Sequence, residues 1–265
     1  MQTVRALRVV LIVLISIVAS QFSRAESLDT TADRPRTIEF PSHDDLEVTA
    51  DLYIAHEDAA TPFIVLFHQA GWSRGEYLEI APRLNGLGFN CMAVDQRSGG
   101  EINDVVNQTH GRAETAGKKT DYVDAVGDMI AALEYAREHF AEGKLLAWGS
   151  SYSAALVLKI GGDHPALVDG IASFAPGEYF DRAGKSSTWI RDAAGNIHGP
   201  VFMTSARSER GNWQAIYDAI PTRTKLAFVP ESEGNHGSRA LWEQFEDSDD
   251  YWRALEPFLT SHFLQ

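Results

Sequence analysis

The chain has very little cysteine and no excess of basic residues, and both shortages narrow its possible functions. Cys91 is the single cysteine among 265 residues, which excludes a disulfide framework and a cysteine-based zinc site. Since Cys91 lies within an apolar stretch, we expect it to pack as a small buried hydrophobe. Only 23 basic residues stand against 37 acidic ones, and the formal net charge is −14. Such a surface repels phosphate groups, so we expect neither nucleic acid nor an anionic membrane as a partner.

The N-terminal segment lacks an apolar run of bilayer-spanning length. Val9–Val18 is far shorter than the roughly 20 residues that a transmembrane helix needs. Two arginines precede this run and Ser23-Arg24-Ala25 follows it, which is typical of a signal peptide and its cleavage site. We therefore predict a signal peptide over residues 1–25, a flexible leader over 26–36, and export to the periplasm or the medium. The alternative is an uncleaved membrane anchor.

The rest of the chain alternates between strand-length and helix-length segments. Strands are predicted at 46–54, 63–67, 89–94, 145–148, 171–174, 201–204 and 226–229, and helices at 75–87, 121–140, 154–160, 213–220 and 238–263. Most of these strands are continuous apolar runs, and repeated strand–helix units imply a mainly parallel sheet covered on both faces. The alternating pattern of 46–54 predicts an antiparallel edge strand. Residues 96–120 are predicted to be a long polar loop.

A candidate nucleophile follows the strand at 145–148. In parallel sheets ligands bind at the carboxyl ends of the strands, so the residues after each strand are the candidates for a site. Gly149-Ser150-Ser151-Tyr152-Ser153 has small residues two positions before and two after Ser151, which predicts a tight strand-to-helix turn that exposes this hydroxyl. Ser150 fits worse because Trp148 and Tyr152 would occupy the small positions. The alternative is an ordinary turn with serine caps.

Backbone donors for an oxyanion are predicted beside this serine. His68-Gln69-Ala70-Gly71-Trp72 follows the strand at 63–67, where backbone N–H groups can point at a developing negative charge. We expect the amides of Ala70 and Tyr152 to be these donors. We expect His68 to brace the loop through hydrogen bonds rather than to act as a base.

The base is predicted in the loop after the last strand. His236 lies between Gly234 and Gly237, where an imidazole can reach a serine across the strand ends and take its proton. His110 and His198 remain alternatives because both are predicted to lie in loops.

The orienting acid is predicted after the strand at 201–204. Glu209 stands where a carboxylate can hold the tautomer of the histidine. Glu178 and Asp181, which follow the strand at 171–174, are the main competitors. Glu231 and Glu233 are close to His236 in sequence, and we expect both at the surface.

These turns and the order Ser151, Glu209, His236 resemble the α/β-hydrolase superfamily over about residues 37–265. Compact dienelactone-hydrolase-like members and serine esterases or peptidases are the most similar. The resemblance implies an α/β fold with an eight-stranded, mainly parallel sheet, no large cap domain, and a triad that needs no metal or cofactor. Glu209 stands where aspartate is usual. True dienelactone hydrolases use a cysteine nucleophile, so their activity is not implied for Ser151.

The expected function is an exported serine hydrolase that cleaves carboxylic esters through an acyl-enzyme. A peptidase or amidase on the same fold and a non-catalytic binding protein are the alternatives. Trp72 and Arg97 are candidate substrate-binding residues for a small molecule. Arg97, Arg112, Lys118 and Lys119 could attract a carboxylate, although a solvated loop is the favoured interpretation of these cations. The sequence indicates no oligomeric state.

Overall fold

The structure, a computed structural model, describes residues 35–264. The predicted signal peptide and nearly all of the predicted leader lie outside the described residues. The first strand, β1, begins at Arg36, one residue before the predicted start of the domain. No helix within residues 35–264 is long and apolar enough to cross a membrane.

Eight strands form one mixed sheet, as predicted, in the spatial order β1-β2-β4-β3-β7-β8-β9-β10. These strands are β1 (Arg36–Pro41), β2 (Glu47–Tyr53), β3 (Phe63–Phe67), β4 (Asn90–Val94), β7 (Leu145–Ser150), β8 (Gly170–Phe174), β9 (Val201–Thr204) and β10 (Lys225–Phe228). β2 runs antiparallel to β1 and β4, whereas the pairs from β4 to β10 are parallel. The prediction of β2 as the edge strand is wrong because β1 covers it. β1 escaped detection because Phe40 is its single buried residue.

Residues 35–264 contain seven α-helices, most of which cover the two faces of the sheet. They are α1 (Ile80–Leu87), α2 (Gln108–Thr115), α3 (Val126–His139), α4 (Tyr152–Asp163), α5 (Trp189–Ala194), α6 (Arg210–Ala219) and α7 (Ser248–Phe263). α1 and α7 pack on one face, and α3 to α6 pack on the other. The alternation of β3 shows why its apolar run is continuous: Phe63, Val65 and Phe67 enter one core layer, and Ile64 and Leu66 enter the other.

The segment predicted as a long polar loop contains regular structure. A two-stranded hairpin, β5 (Glu101–Ile102) and β6 (Val105–Val106), precedes α2 within residues 96–120. Strands of two residues are too short to show any periodicity, and α2 is too polar to show an apolar face. The hairpin holds the loop after β3, because Ser73 Oγ donates a hydrogen bond to the Val105 carbonyl oxygen.

Two predicted helices are interrupted by changes in helical phase. A 3₁₀ turn over Arg74–Tyr77 precedes α1, and after this turn Leu78 is exposed whereas Ile80 is buried. The predicted C-terminal helix begins with a 3₁₀ turn over Ser238–Leu241 and resumes as α7.

Candidate active site

Ser151 occupies a strained turn between β7 and α4. Its backbone has φ 59° and ψ −119°, a conformation that residues with a side chain rarely adopt. The turn is so tight that a Cβ atom at Gly149 would lie 2.3 Å from the Ser153 carbonyl oxygen. The pentad therefore forms the elbow that its small residues predict, with the Ser151 hydroxyl raised above the carboxyl edge of the sheet.

Ser153, which stands where this turn commonly has glycine, links the elbow to β3. Its Oγ lies 2.8 Å from the Phe67 carbonyl oxygen and 2.7 Å from the His68 carbonyl oxygen. The same Oγ accepts the N–H of Ser150 at 3.2 Å. The hydroxyl thus fastens the elbow to the strand that carries the predicted oxyanion loop.

The structure brings Ser151, His236 and Glu209 together. His236 Nε2 lies 2.7 Å from Ser151 Oγ, and His236 Nδ1 lies 2.5 Å from Glu209 Oε1. Glu209 Oε2 also accepts the Ala206 N–H, which fixes the carboxylate at the end of β9. The side chains of His236 and Glu209 are 35% and 22% exposed, so the Ser151–His236–Glu209 array is open to a molecule from solvent.

The amides of Ala70 and Tyr152 lie where the sequence predicts them, at the end of β3 and at the first residue of α4. Neither N–H group donates a hydrogen bond to any acceptor among residues 35–264. The N-terminus of α4 adds the positive end of a helix dipole to the Tyr152 amide. Two unpaired donors, one of them at a helix N-terminus directly after Ser151, suit a developing oxyanion.

His68 braces the loop after β3 and is fully buried. Its Nδ1 lies 2.8 Å from the Gln69 carbonyl oxygen, and its Nε2 lies 3.0 Å from Asn107 Nδ2. Asn107 also donates to the Gln96 carbonyl oxygen, so this bracing comes from the segment between β4 and α3. Burial lowers the pKa of His68 to about 4, which keeps its imidazole neutral.

Among the described residues, none of the alternative histidines and acids forms a hydrogen bond with Ser151 or His236. His110 lies in α2 with Nδ1 2.7 Å from the Arg97 carbonyl oxygen, and His198 is exposed before the amino end of β9. Glu178 accepts the N–H groups of Ile190 and Arg191 and so caps α5. The remaining acids are exposed: Asp181, Glu231 and Glu233.

Arg97 does not face this array, which corrects its place among the candidate substrate residues. Its guanidinium, 7% exposed, forms ion pairs with the buried Asp128 and with Asp44. Lys118 also pairs with Asp44, and Arg112 pairs with Glu39. These cations are neutralised by nearby carboxylates, which leaves little charge for a substrate. They hold the segment after β4 against the N-terminal strands.

Trp72, the other candidate substrate residue, is half-buried in the loop after β3. Its ring stacks on that of Trp242 with centroids 5.4 Å apart. This contact packs the loop after β3 against the segment between the 3₁₀ turn at Ser238–Leu241 and α7.

A cavity of about 320 Å³ is lined by residues of the segments 120–123 and 179–183. Tyr122 in its wall stacks on Tyr152 with ring centroids 4.6 Å apart. Tyr179 forms another part of the wall, and its hydroxyl donates to the Ala175 carbonyl oxygen. Burial raises the pKa of Tyr179, and the charge of Glu209 raises it further.

One buried carboxyl group beneath the array was missed from the sequence. Glu76 is fully buried and hydrogen bonds to Ser150 Oγ and to the Gln69 amide. In the sequence it reads as one more acid in a helical segment, and no spacing or flanking residue marks it. Among residues 35–264 no group of three or more histidine, cysteine or acidic side chains is arranged to hold a metal ion.

Comparison with known families matches residues 58–256 to the family described as "Serine aminopeptidase, S33". The chain belongs to this family of α/β hydrolases. The match spans more than half of the chain and includes the elbow, the Glu209 segment and the His236 loop. A curated relative, the quorum-quenching protein AidA of Acinetobacter baumannii, is 28% identical over 136 residues. That alignment covers 50% of this chain and only 41% of the relative.

Solved structures with the same fold include an esterase and a dienelactone hydrolase. An esterase of Pyrococcus furiosus superposes with a TM-score of 0.68 at 15% identity, over 88% of this chain and 95% of its own. A dienelactone hydrolase from Anabaena variabilis superposes with a TM-score of 0.65 at 13% identity, over 87% of this chain and 99% of its own. At these identities the likeness concerns the fold, which is an α/β-hydrolase fold without a large cap.

Proposed function

We propose that this α/β hydrolase is a serine hydrolase that cleaves carboxylic esters through an acyl-enzyme. The observation that carries the proposal is the continuous hydrogen-bonded array from Ser151 Oγ through both His236 nitrogens to Glu209. A weak nucleophile, a base within reach of its proton and a carboxylate that orients the base are the parts that acyl transfer needs.

In the proposed reaction, His236 Nε2 takes the Ser151 proton as Oγ attacks the ester carbonyl carbon. The carbonyl oxygen becomes an oxyanion and accepts hydrogen bonds from the amides of Ala70 and Tyr152. Glu209 stabilises the imidazolium, which then gives its proton to the leaving alkoxide as the C–O bond breaks. Water, deprotonated by His236, attacks the acyl-enzyme and releases the carboxylic acid and free Ser151.

The cavity lined by residues 120–123 and 179–183, whose wall residue Tyr122 stacks on Tyr152, supports a small acyl substrate. Its volume of about 320 Å³ lies at the lower end of ordinary small-molecule sites. Tyr122 and Tyr179 give it aromatic walls, which suit an apolar acyl chain or a ring. Between β8 and β9 the chain has only a 3₁₀ turn and the six-residue α5, so an alcohol group of varied size can extend into solvent.

A peptidase or amidase is the second candidate, favoured by the description of the matched family. A peptidase or amidase would use the same array. Its leaving group is an amine, which leaves less readily than an alkoxide and must be protonated before it departs. A non-catalytic binding protein is disfavoured because the strained φ of Ser151 has no use in a binder.

We also propose that the protein is exported, with residues 1–25 as its signal peptide. The proposal is supported by the arginines before Val9–Val18 and the small residues at 23 and 25. N-terminal sequencing of protein recovered from the periplasm or medium is expected to begin at Glu26. Retention of residues 1–25 in the membrane fraction would favour the anchor instead.

The proposed hydrolysis is tested by labelling with a fluorophosphonate, followed by peptide mapping. We expect one labelled residue, Ser151, and turnover of p-nitrophenyl acetate that exceeds turnover of a peptide p-nitroanilide. Ser151→Ala should lower kcat by about 10⁴-fold or more without loss of folding. Ser187→Ala, which alters an exposed serine, is the matched control and should label like the wild type. Faster cleavage of the anilide would favour the peptidase, and no label at all would exclude both hydrolases.

A further inference from the structure

Glu76 lies beneath the array and has no partner of opposite charge. It belongs to the 3₁₀ turn Arg74–Tyr77, and its side chain is fully buried. No lysine, arginine or histidine among residues 35–264 forms an ion pair with it. A carboxyl group buried in this way is costly unless hydrogen bonds satisfy both of its oxygens, so its retention needs an explanation.

Both carboxyl oxygens of Glu76 accept hydrogen bonds from residues that adjoin the site. Oε1 accepts the Ser150 hydroxyl at 2.7 Å, and Oε2 accepts the Gln69 N–H at 2.8 Å. Ser150 Oγ in turn accepts the N–H of Ser238 at 2.8 Å. These hydrogen bonds join three separate chain segments at one buried point.

Each joined segment carries one functional group of the proposed site. Gln69 precedes the oxyanion donor Ala70, Ser150 precedes the nucleophile Ser151, and Ser238 follows His236 by two residues. The relative positions of donor, nucleophile and base therefore depend on the contacts that Glu76 makes.

Tight packing around this network leaves it little room to move. A Cβ atom at Gly237 would lie 2.4 Å from Ser150 Oγ. Trp242 Nε1 donates to the Glu76 carbonyl oxygen, and Trp148 Nε1 donates to Ser238 Oγ.

We propose that Glu76 is a positioning residue that holds the oxyanion loop, the nucleophile and the histidine loop at their catalytic spacing. The inference rests on the proposed function. The Glu76 carboxylate accepts hydrogen bonds from Ser150 and Gln69 and forms none with Ser151, His236 or Glu209, so it acts through the neighbours of the reacting groups. Its ionised form fits the network best, since two donors point at two oxygens and a carboxylate has no proton to place.

Protonation of Glu76 is expected to loosen this network near neutral pH. Burial raises its pKa to about 7, while the hydrogen bonds from Ser150 and Gln69 and the charge of His236 work in the opposite direction. The other titratable neighbour is Tyr77 of the same turn, whose own pKa rises with burial and with the charge of Glu76. Activity should therefore depend on the deprotonated form of Glu76.

The test compares Glu76→Gln with the wild type in kcat, KM and rate of fluorophosphonate labelling between pH 5 and 9. The glutamine keeps the shape but directs an N–H₂ group at one of the two donors. We expect kcat and labelling to fall about 10- to 100-fold, because the reacting groups are misplaced. KM for p-nitrophenyl acetate should change less than about twofold. The acid limb of log kcat/KM against pH should be steeper in the wild type than in the variant, because the variant has no carboxyl group at position 76 to protonate.

Two further variants separate positioning from general loss of stability. Asp169→Asn also alters a carboxylate that accepts the N–H of a strand residue, Leu145, but this contact lies at the amino edge of the sheet. This variant should keep the wild-type kcat and the wild-type slope of the acid limb. Ser150→Ala should also lower kcat and labelling, and it serves as the second probe if Glu76→Gln does not fold. The double variant of Ser150→Ala and Glu76→Gln should lose no more kcat than the worse single variant, because both changes break the same hydrogen-bonded link.

Wild-type kcat and an unchanged acid slope in Glu76→Gln would overturn the inference while the proposed hydrolysis stands. Equal losses of kcat and labelling rate in Glu76→Gln and Asp169→Asn would also overturn the inference. A wild-type protein that neither labels nor hydrolyses the ester contradicts the proposed function and this inference with it.

Discussion

Glu209 is held at both carboxyl oxygens, so its replacement by glutamine tests the acid of the array. Oε1 faces His236 Nδ1 and Oε2 accepts the Ala206 N–H. In Glu209→Gln the amide N–H₂ group must face either the Ala206 N–H or His236 Nδ1. Where it faces His236, the imidazole loses its acceptor or must change its tautomer. We expect kcat for p-nitrophenyl acetate to fall about 10²- to 10⁴-fold, less than in Ser151→Ala.

Asp181→Asn is the control for this exchange because Asp181 is exposed and lies in the 3₁₀ turn after β8. It should leave kcat unchanged. Loss of activity in Asp181→Asn together with a nearly normal Glu209→Gln would assign the acid to the other segment.

Residues with a local sequence signature could be predicted, and residues defined by packing could not. Ser151 is marked by small residues on both sides, and His236 and Glu209 by their positions after strands. Glu76 acts through contacts with segments that lie 74 and 7 residues away along the chain, which no local pattern records. Arg97 shows the converse: a cation in a polar loop suggested a ligand, whereas its partners Asp44 and Asp128 come from distant elements.

The elbow between β7 and α4 depends on a position without a side chain. A Cβ atom at Gly149 would meet the Ser153 carbonyl oxygen and the Ala154 nitrogen, both backbone atoms that cannot rotate away. We expect Gly149→Ala to lower the free energy of unfolding by about 1–3 kcal/mol, since the overpacked turn must shift. Because that shift moves Ser151, kcat should also fall at least about tenfold.

Gly211→Ala is the matched control because a Cβ atom there meets nothing within 4 Å in α6. It should raise the free energy of unfolding in urea by about 0.5–1 kcal/mol through helix propensity, with kcat unchanged. Similar losses of stability in both variants would argue against a special constraint at the elbow.

Strands that contain an apolar run were the ones that the sequence could indicate, including β10, which is partly exposed. β3, β4 and β8 lie within one residue of their predicted bounds because each is a continuous apolar run. The hairpin β5–β6 and the phase changes before α1 and α7 depend on contacts with other segments. These same connections brace the oxyanion loop and carry Ser238, so the least predictable elements are the ones that shape the site.

At the scale of the whole molecule, Glu76 links the site to the stability of the fold. Its pKa is about 7 in the folded protein against an ordinary value of 4.5, with burial as the main cause. Because the folded state binds this proton more tightly, the stabilisation is fully present below pH 4.5 and is lost as pH rises through 7. The full loss amounts to about 3 kcal/mol at about 1.4 kcal/mol per pH unit.

The free energy of unfolding of the wild type should therefore decrease relative to that of Glu76→Gln between pH 4.5 and 8, as measured by urea denaturation. Asp169→Asn supplies the contrast. Burial tends to raise the pKa of Asp169, but the Leu145 amide and the Arg137 guanidinium outweigh it, and the pKa lies below the ordinary value. Its contribution is lost only in more acidic solution, so the wild type and Asp169→Asn should differ by a constant amount over this range. A constant difference for Glu76→Gln as well would mean that Glu76 stays in one ionisation state, and the steeper acid limb expected for the wild type would then need another source.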